Sequence, residues 1–147
     1  MKVIVDTSVW SLALRREDQI NPNPVQELRN LIQDYRVQII GPIRQEILSG
    51  VRHEAQFKKL KNHIDAFPDI PIFTEDYVSA AKFFNLCRSR GVQGSNTDFL
   101  ICAIAVRIKS SIYTTDKDFE IFSKHIPIIL HQTERFQHSD GQDGMKN

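Results

Sequence analysis

The strongest constraint on the fold is that short apolar runs alternate with segments of helical periodicity along almost the whole chain. The runs are rich in β-branched residues, and they predict five strands at residues 2–5, 37–40, 70–73, 111–115 and 126–130. Strands that alternate with helices in this way are typical of a mainly parallel sheet with helices on both faces. In such sheets, ligands bind beyond the carboxyl ends of the strands, near the point where the strand order reverses.

The helical segments have recognisable starts and apolar faces. Asn23 followed by Pro24 predicts an N-cap and a first helical residue, and Pro42 opens a helix after the second strand. Residues 97–109 are the most apolar helical segment, which places that helix at the centre of the fold. The predicted helices span residues 7–15, 24–35, 42–51, 53–66, 74–90 and 97–109, with a short helix within 116–122.

The size and composition of the chain are those of an ordinary globular domain. Its 147 residues are 41% hydrophobic and 25% charged, which predicts one folded domain over residues 1–137 and a disordered polar tail over 138–147. No apolar run approaches the roughly 18 residues that span a bilayer, and no signal peptide is expected. Cys87 and Cys102 lie within helical patterns and are expected to be reduced and buried. These features favour a cytoplasmic protein, and the net charge of +1 does not indicate nucleic-acid binding by bulk charge.

Four acidic residues are expected at the same edge of the predicted sheet. Asp6 and Asp116 each follow a predicted strand, Asp98 lies in the first turn of the most apolar helix, and Glu46 lies about one turn into the helix after the second strand. Each has an ordinary alternative role. Asp6 and Asp98 could stabilise helix starts, Asp116 could form a turn, and Glu46 could be a solvated helix residue. Their convergence from four strand–helix corners favours a shared site.

Gathering these carboxylates has chemical consequences. Carboxylates a few ångströms apart repel one another, and some stay protonated unless a cation neutralises them. A set of oxygen ligands without histidine or cysteine suits a hard cation, Mg²⁺ or Mn²⁺, and the five histidines are scattered rather than clustered. Such a cation can activate a water and stabilise charge on a phosphoryl oxygen, which predicts phosphodiester hydrolysis. Hydroxyls that could support a carboxylate or a phosphate, or simply form local caps, belong to Thr7, Ser8, Thr97 and Thr115.

Four segments of the chain resemble the motifs of PIN-domain ribonucleases, and more narrowly of VapC-type toxins. They are IVDTSVW, IRQEILSGV, TDFLICAIA and YTTDKDF, and the resemblance covers about residues 2–131. It implies a three-layer α/β/α sandwich and an Mg²⁺- or Mn²⁺-dependent endonuclease that cleaves RNA. It also implies neutralisation by a cognate antitoxin and, commonly, a homodimer.

The family's acidic quartet can be carried over by position. It corresponds to Asp6, Glu46, Asp98 and Asp116 as catalytic residues. The resemblance implies that Asp6, Asp98 and Asp116 are the main metal ligands, with Glu46 as a further candidate. Asp118 is a second acid in the last motif and is expected to assist or replace Asp116.

Other classes of protein stay open as alternatives. A PIN-like domain that binds RNA without cleaving it would need no metal chemistry, although all four acids are present. A haloacid-dehalogenase-type phosphatase needs a second aspartate two residues after the first, where this chain has Ser8. A receiver domain needs an acceptor aspartate after the third strand, for which Asp76 is the candidate, and a lysine after the fifth, where the chain has His131.

Several arginines are candidates for contacting RNA phosphates around the predicted site, although each could equally be a solvated surface charge. Such contacts would give affinity and position rather than sequence choice. The candidates are Arg15, Arg16, Arg44 and Arg52.

Overall fold

The structure, a computed structural model, describes residues 1–14 and 22–132. Strands and helices alternate in this part of the chain, as the apolar runs predict. The order is β1 (Val3–Val5), α1 (Thr7–Leu14), α2 (Pro22–Gln33), β2 (Val37–Gln38), α3 (Gly41–Leu48), α4 (Glu54–Ile64), α5 (Thr74–Ser89), α6 (Asn96–Ile108), β3 (Ser111–Tyr113) and α7 (Asp118–Phe122).

The three strands form one parallel sheet in the order β2–β1–β3. Val3 pairs with Val37 on one side and with Ser111 on the other, while Val5 pairs with Tyr113. All three residues of β1 are fully buried, as expected for the central strand of a sheet covered on both faces. The predicted parallel α/β architecture is therefore confirmed.

Two of the five predicted strands are wrong, since residues 70–73 and 126–130 form no strand in the described chain. Each segment lies along one edge of the sheet through a single parallel bridge, Ile39 with Asp69 and Ile112 with Leu130. Pro71 and Pro127 lie in these segments, and a proline has no N–H to donate to a ladder. The sheet of the described residues thus has three strands rather than about five.

The helices lie in two crossovers. The chain moves from β1 to β2 through α1 and α2, and it returns to the other side of β1 through α3 to α6. Helix α1 contacts α2 and α3, α3 contacts α4, and α5 packs along α6. Because parallel crossovers are almost always right-handed, the two crossovers place helices on opposite faces of the sheet. The strand order therefore reverses beside β1, and the carboxyl ends of β1 and β3 flank the crevice where α/β folds bind ligands.

Helix boundaries agree closely with the predictions, with one correction. The second helix begins at Pro22, so Asn23 lies inside it rather than at its N-cap, because a proline is well suited to the first turn. Residue 15 of the first predicted helix and the predicted tail at 138–147 lie outside the described residues.

The core is centred on α6 and on a cluster of phenylalanine rings that includes one ring of this helix. Residues 99–105 of α6 are all buried, as the apolar composition of this helix predicts. The rings of Phe84, Phe99, Phe119 and Phe122 join α5, α6 and α7, with ring centroids 4.7 to 5.6 Å apart. Each fully buried phenylalanine stabilises the fold by about 1.5–3 kcal/mol. The two cysteines are free and buried, as predicted.

Residues 1–14 and 22–132 contain no helix that is long and apolar enough to cross a membrane.

Candidate active site

Asp6 is a buried carboxylate at the carboxyl end of the central strand. Its N–H donates to the Tyr113 carbonyl at 2.8 Å, which holds the residue against β3, and only 6% of its surface is exposed. Its Oδ2 accepts hydrogen bonds from Ser8 Oγ and Thr114 Oγ1, both at 2.9 Å. These hydroxyls offset part of the cost of burying a charge, and they show that the carboxylate is bonded to side chains rather than to the N–H groups of α1.

Thr114 connects Asp6 to Asp116. Its Oγ1 donates to Asp6 and accepts from the Asp116 N–H at 3.0 Å. The neighbouring Thr115 contributes its N–H, which donates to Ser8 Oγ at 3.1 Å. The Asp116 carboxylate in turn accepts from the Asp118 N–H at 2.9 Å, as a turn-forming aspartate does. The two strand ends are thus joined by one hydrogen-bonded network.

Sequence analysis missed Thr114, although a signal for it exists. The pairing of Ile4 with Ile112 and of Val5 with Tyr113 extends by one position to Asp6 and Thr114. Had the register of β1 against β3 been known, Thr114 would have been the expected neighbour of Asp6. The hydroxyl of Thr115, which the sequence predicts to support a carboxylate or a phosphate, forms no hydrogen bond among the described residues. The backbone N–H of Thr115 joins the network instead, through Ser8.

Asp98 occupies the third position of α6. Its carboxylate accepts from the Ser95 N–H at 3.2 Å, and its own N–H donates to Ser95 Oγ at 3.0 Å, which is a complete capping box. Burial raises the pKa of the Asp98 carboxyl, the two Ser95 hydrogen bonds oppose this, and the charges of Asp6 and Asp116 raise the pKa further. The ordinary role of Asp98 as a helix cap is therefore confirmed, and its place in a shared acid site stays a prediction.

Glu46 reaches the same region through one contact. Thr7 Oγ1 donates to Glu46 Oε2 at 2.6 Å, and Thr7 directly follows Asp6 in the chain. Glu46 is otherwise exposed on α3. The hydroxyl of Thr7 therefore ties the fourth acid to the strand end, which is the supporting role that its position predicts.

The donor chemistry of this site fits a hard divalent cation. Asp6, Asp98 and Asp116 offer only oxygen atoms, which Mg²⁺ and Mn²⁺ prefer, and no lysine or arginine in the described ranges forms an ion pair with any of them. Within residues 1–14 and 22–132, no three acidic, histidine or cysteine side chains already stand in a metal-binding arrangement. The predicted convergence of the acids into one coordination sphere is therefore not seen in this part of the chain, and metal binding by these carboxylates stays a prediction.

The structure bears on two of the rival classes, the receiver domain and the phosphatase. Asp76, the receiver-like candidate, is 2% exposed and bonds to Arg107 and the Phe73 N–H, so it cannot accept a phosphoryl group at the sheet edge. Ser8, at the position where the phosphatases need an aspartate, donates to Asp6 instead of acting as an acid.

Arg44 is bonded within the protein. Its guanidinium donates to the carbonyls of Ile64 and Phe67 and to Asp69 at 2.8 Å, so it holds the chain that follows α4. It is therefore not a solvated surface charge, and a phosphate would have to compete with these bonds. Arg52 is exposed, and Arg15 and Arg16 lie outside the described residues.

Comparisons with known proteins agree with this geometry. The family model of the PIN domain matches residues 3–124. VapC ribonuclease Mb1587 of Mycobacterium bovis is 28% identical over 126 residues, which cover 83% of this chain and 92% of that protein. Ribonuclease VapC11 of Mycobacterium tuberculosis has the same identity and coverage.

Solved structures share the fold at low sequence identity. FitAcB from Neisseria gonorrhoeae superposes with a TM-score of 0.70 at 18% identity, covering 88% of this chain and 96% of that one. VapBC2 from Rickettsia felis, bound to a DNA fragment from its promoter, gives a TM-score of 0.72 at 16% identity, with 89% and 98% covered. These likenesses concern the fold alone.

Proposed function

We propose that this chain, which belongs to the PIN domain family, is a metal-dependent endoribonuclease and the toxin of a toxin–antitoxin pair. The observation that supports this most strongly is the network at the ends of β1 and β3. There the buried Asp6 is joined to Asp116 by the Thr114 hydroxyl, and the charges of both acids act on Asp98. The ribonuclease names of the curated relatives point the same way.

The residues proposed to hold Mg²⁺ or Mn²⁺ are Asp6, Asp98 and Asp116, with Glu46 and Asp118 as further acids of the site. When bound, the cation would activate a water for attack on the phosphodiester and neutralise charge on the phosphoryl oxygen. The raised pKa of Asp98 means that its carboxyl retains a proton more readily than usual. Metal loading therefore competes with protonation at this position.

The remaining residues of the site orient the acids. Ser8 and Thr114 both donate to Oδ2 of Asp6, and no hydrogen bond from the described residues reaches Oδ1, so the Asp6 carboxylate would keep an oxygen atom available to a cation. Ser95 orients Asp98, and Thr7 orients Glu46. Hydrogen bonds of this kind commonly change metal affinity or activity by about 10–100-fold when they are removed.

The proposed partners follow from the family resemblance. RNA is the substrate, a cognate antitoxin inhibits the site, and the protein acts in the cytoplasm, where RNA is available. A homodimer is part of the proposal. The antitoxin is proposed from the family resemblance and from the VapC names of the curated relatives, because the likeness to VapBC2 and FitAB concerns the fold alone.

The test is a cleavage assay with single-stranded RNA and Mn²⁺ or Mg²⁺, with and without EDTA. Wild-type protein is expected to cleave only with the metal, and Asp6→Asn to be inactive. Asp34→Asn, a change of the same kind at an exposed position just after α2, is the matched control and should cleave normally. Equal cleavage by wild type and Asp6→Asn would identify a contaminant, and metal-independent RNA binding without cleavage would favour the inactive PIN-like module.

A further inference from the structure

A small cavity lies beside the loop that leads into α6. It measures about 260 Å³ and is lined by the end of α5, by the loop and by the start of α6, through Phe84, Arg88, Val92, Gln93, Gly94 and Phe99. Ligand pockets for drug-sized molecules usually measure about 300–1,000 Å³. This cavity is therefore suited to one planar group rather than to a whole nucleotide or a peptide segment.

The cavity adjoins the proposed active site through the chain itself. Gly94 precedes Ser95, whose N–H donates to the Asp98 carboxylate at 3.2 Å, and Phe99 follows Asp98. The cavity and the capping box of Asp98 thus share residues 94–99 of the chain. The loop backbone packs closely on the ring of Phe122, because a Cβ at Gly94 would lie 2.5 Å from Cζ of Phe122.

One wall of the cavity, the ring of Phe84, has the chemistry that binds an unpaired base. Phe84 is half-buried and meets the fully buried Phe99 edge to face, with centroids 5.6 Å apart. Single-stranded RNA is recognised by stacking bases on aromatic rings and by hydrogen bonds to their edges. Gln93 is exposed at the rim, and its amide can both donate and accept hydrogen bonds.

Arg88 supplies a charge that matches a phosphate. Its side chain is exposed, and no carboxylate in residues 1–14 and 22–132 forms an ion pair with it. Arg90, two residues on, contacts the ring of His125 rather than an acid. The mouth of the cavity is therefore cationic, whereas the neighbouring acids would repel a phosphate until a metal is bound.

We propose that this cavity binds one unpaired nucleobase of the RNA next to the bond that is cleaved, with Arg88 on its phosphate and Gln93 on the base edge. The inference rests on the proposed function, since it assigns a subsite to the same substrate. It makes Gln93 a residue that sets base preference and Arg88 a residue that sets affinity for any sequence.

Binding is tested separately from cleavage. Fluorescence anisotropy in EDTA would measure binding of labelled ten-nucleotide strands of A, C or U, and of a ten-unit ribose phosphate strand without bases. We expect the strand without bases to bind wild type about tenfold more weakly than the preferred strand. Arg88→Ala should weaken all strands by about tenfold at low salt, with a smaller loss at high salt. Gln93→Ala should bring the three base-containing strands to within about twofold of one another.

The control is Arg29→Ala, an exposed arginine on α2, which should leave both affinity and base preference unchanged. If Arg88→Ala and Gln93→Ala bind and cleave every strand as wild type does, the nuclease stands and the cavity proposal is overturned. If base preference is lost in Gln93→Ala but no protein cleaves RNA with Mn²⁺, the cavity stands and the nuclease proposal falls. Normal RNA binding with weakened inhibition by the antitoxin would assign the cavity to protein docking and overturn the proposal.

Discussion

Asp76 and Asp98 hold the same local position in neighbouring helices, yet their environments are opposite. Each is the third residue of its helix, and each accepts a hydrogen bond from the N–H of the residue before the helix, at 2.8 and 3.2 Å. Asp76 also bonds to Arg107 at 2.7 Å, whereas Asp98 faces the charges of Asp6 and Asp116. Both residues therefore cap a helix, and they differ in the sign of the neighbouring charge, which is positive for Asp76 and negative for Asp98.

The pKa directions follow from that difference. Burial alone would raise the pKa of Asp76, but the hydrogen bonds from Arg107 and Phe73 and the positive charge of Arg107 together lower it. Burial likewise raises the pKa of Asp98, and there the nearby carboxylates add to the effect. The ion pair with Arg107 makes the Asp76 carboxylate stabilise the folded state. Repulsion from neighbouring carboxylates makes the charge of Asp98 destabilise it, and a bound cation can remove that repulsion.

The largest expected effect is at Asp98. Asp98→Asn removes a proposed ligand but keeps an acceptor for the Ser95 N–H, so we expect metal-dependent RNA cleavage to fall by about 100-fold or more. Since the substitution also removes repulsion, the melting temperature in EDTA should stay equal or rise. Initial cleavage rates with Mn²⁺ and thermal melts in EDTA measure the two effects. Strong destabilisation in EDTA would contradict this account of Asp98.

Asp76→Asn should reduce stability and leave RNA cleavage unchanged, which is the reverse of Asp98→Asn. It leaves Arg107 without its partner at the junction of α5 and α6, and we expect a loss of about 2 kcal/mol, below the usual cost of breaking a buried pair because Arg107 is partly exposed. Urea unfolding measures the loss, and cleavage per folded molecule should not change. A fall in activity at full folding would show that Asp76 is not purely structural.

Substitution of Thr114 tests whether hydrogen bonds from neutral hydroxyls hold the buried Asp6 carboxylate in place. Thr114→Val keeps the shape but removes the bonds to Asp6 and from Asp116, so we expect a loss of about tenfold in cleavage. Thr115→Val is the matched control at the next position, because only the backbone of Thr115 bonds to Ser8, and it should retain activity. Metal titrations of both variants would separate weaker metal binding from a slower reaction. Equal losses in the two variants would remove the special role of Thr114.

The smallest expected effect is the pH dependence of stability without metal. The pKa of Asp98 is raised, so its contribution is fully present below the ordinary 3.8 and is lost as pH rises through the folded value. The pKa of Asp76 is lowered, so its contribution is present above 3.8 and is lost as pH falls through the folded value.

Melts in EDTA from about pH 3 to 7 measure both contributions. The melting temperature of wild type minus that of Asp98→Asn should decrease as pH rises. Wild type minus Asp76→Asn should increase over the same range. Parallel curves for the two variants would contradict the opposite environments of these carboxylates.

Local patterns in the sequence were enough to locate much of the fold and several acids. The apolar runs identify β1, β2 and β3, and the apolar composition of residues 97–109 identifies α6 as central. They fail at residues 70–73 and 126–130, because apolar content resembles a strand even where Pro71 and Pro127 prevent a ladder. Strand pairing is a property of two segments, and one segment alone does not reveal it.

The contacts of individual side chains depend even more on distant parts of the chain. Asp6 and Asp116 are recognisable because strand ends mark them, but Thr114 requires the register between β1 and β3. An arginine such as Arg44 is a common phosphate ligand. Its hydrogen bonds to the carbonyls of Ile64 and Phe67 depend on how the chain turns after α4, which the sequence does not reveal. The convergence of the acids on a metal remains a prediction that the cleavage assay addresses.

The bond between Asp6 and Thr114 joins residues 108 positions apart, and this has a consequence during synthesis. Asp6 leaves the ribosome 108 residues before Thr114. A nascent chain that has not yet reached Thr114 and Asp116 lacks the strand end that bonds to Asp6, so the proposed nuclease site cannot form before residue 116 has been made.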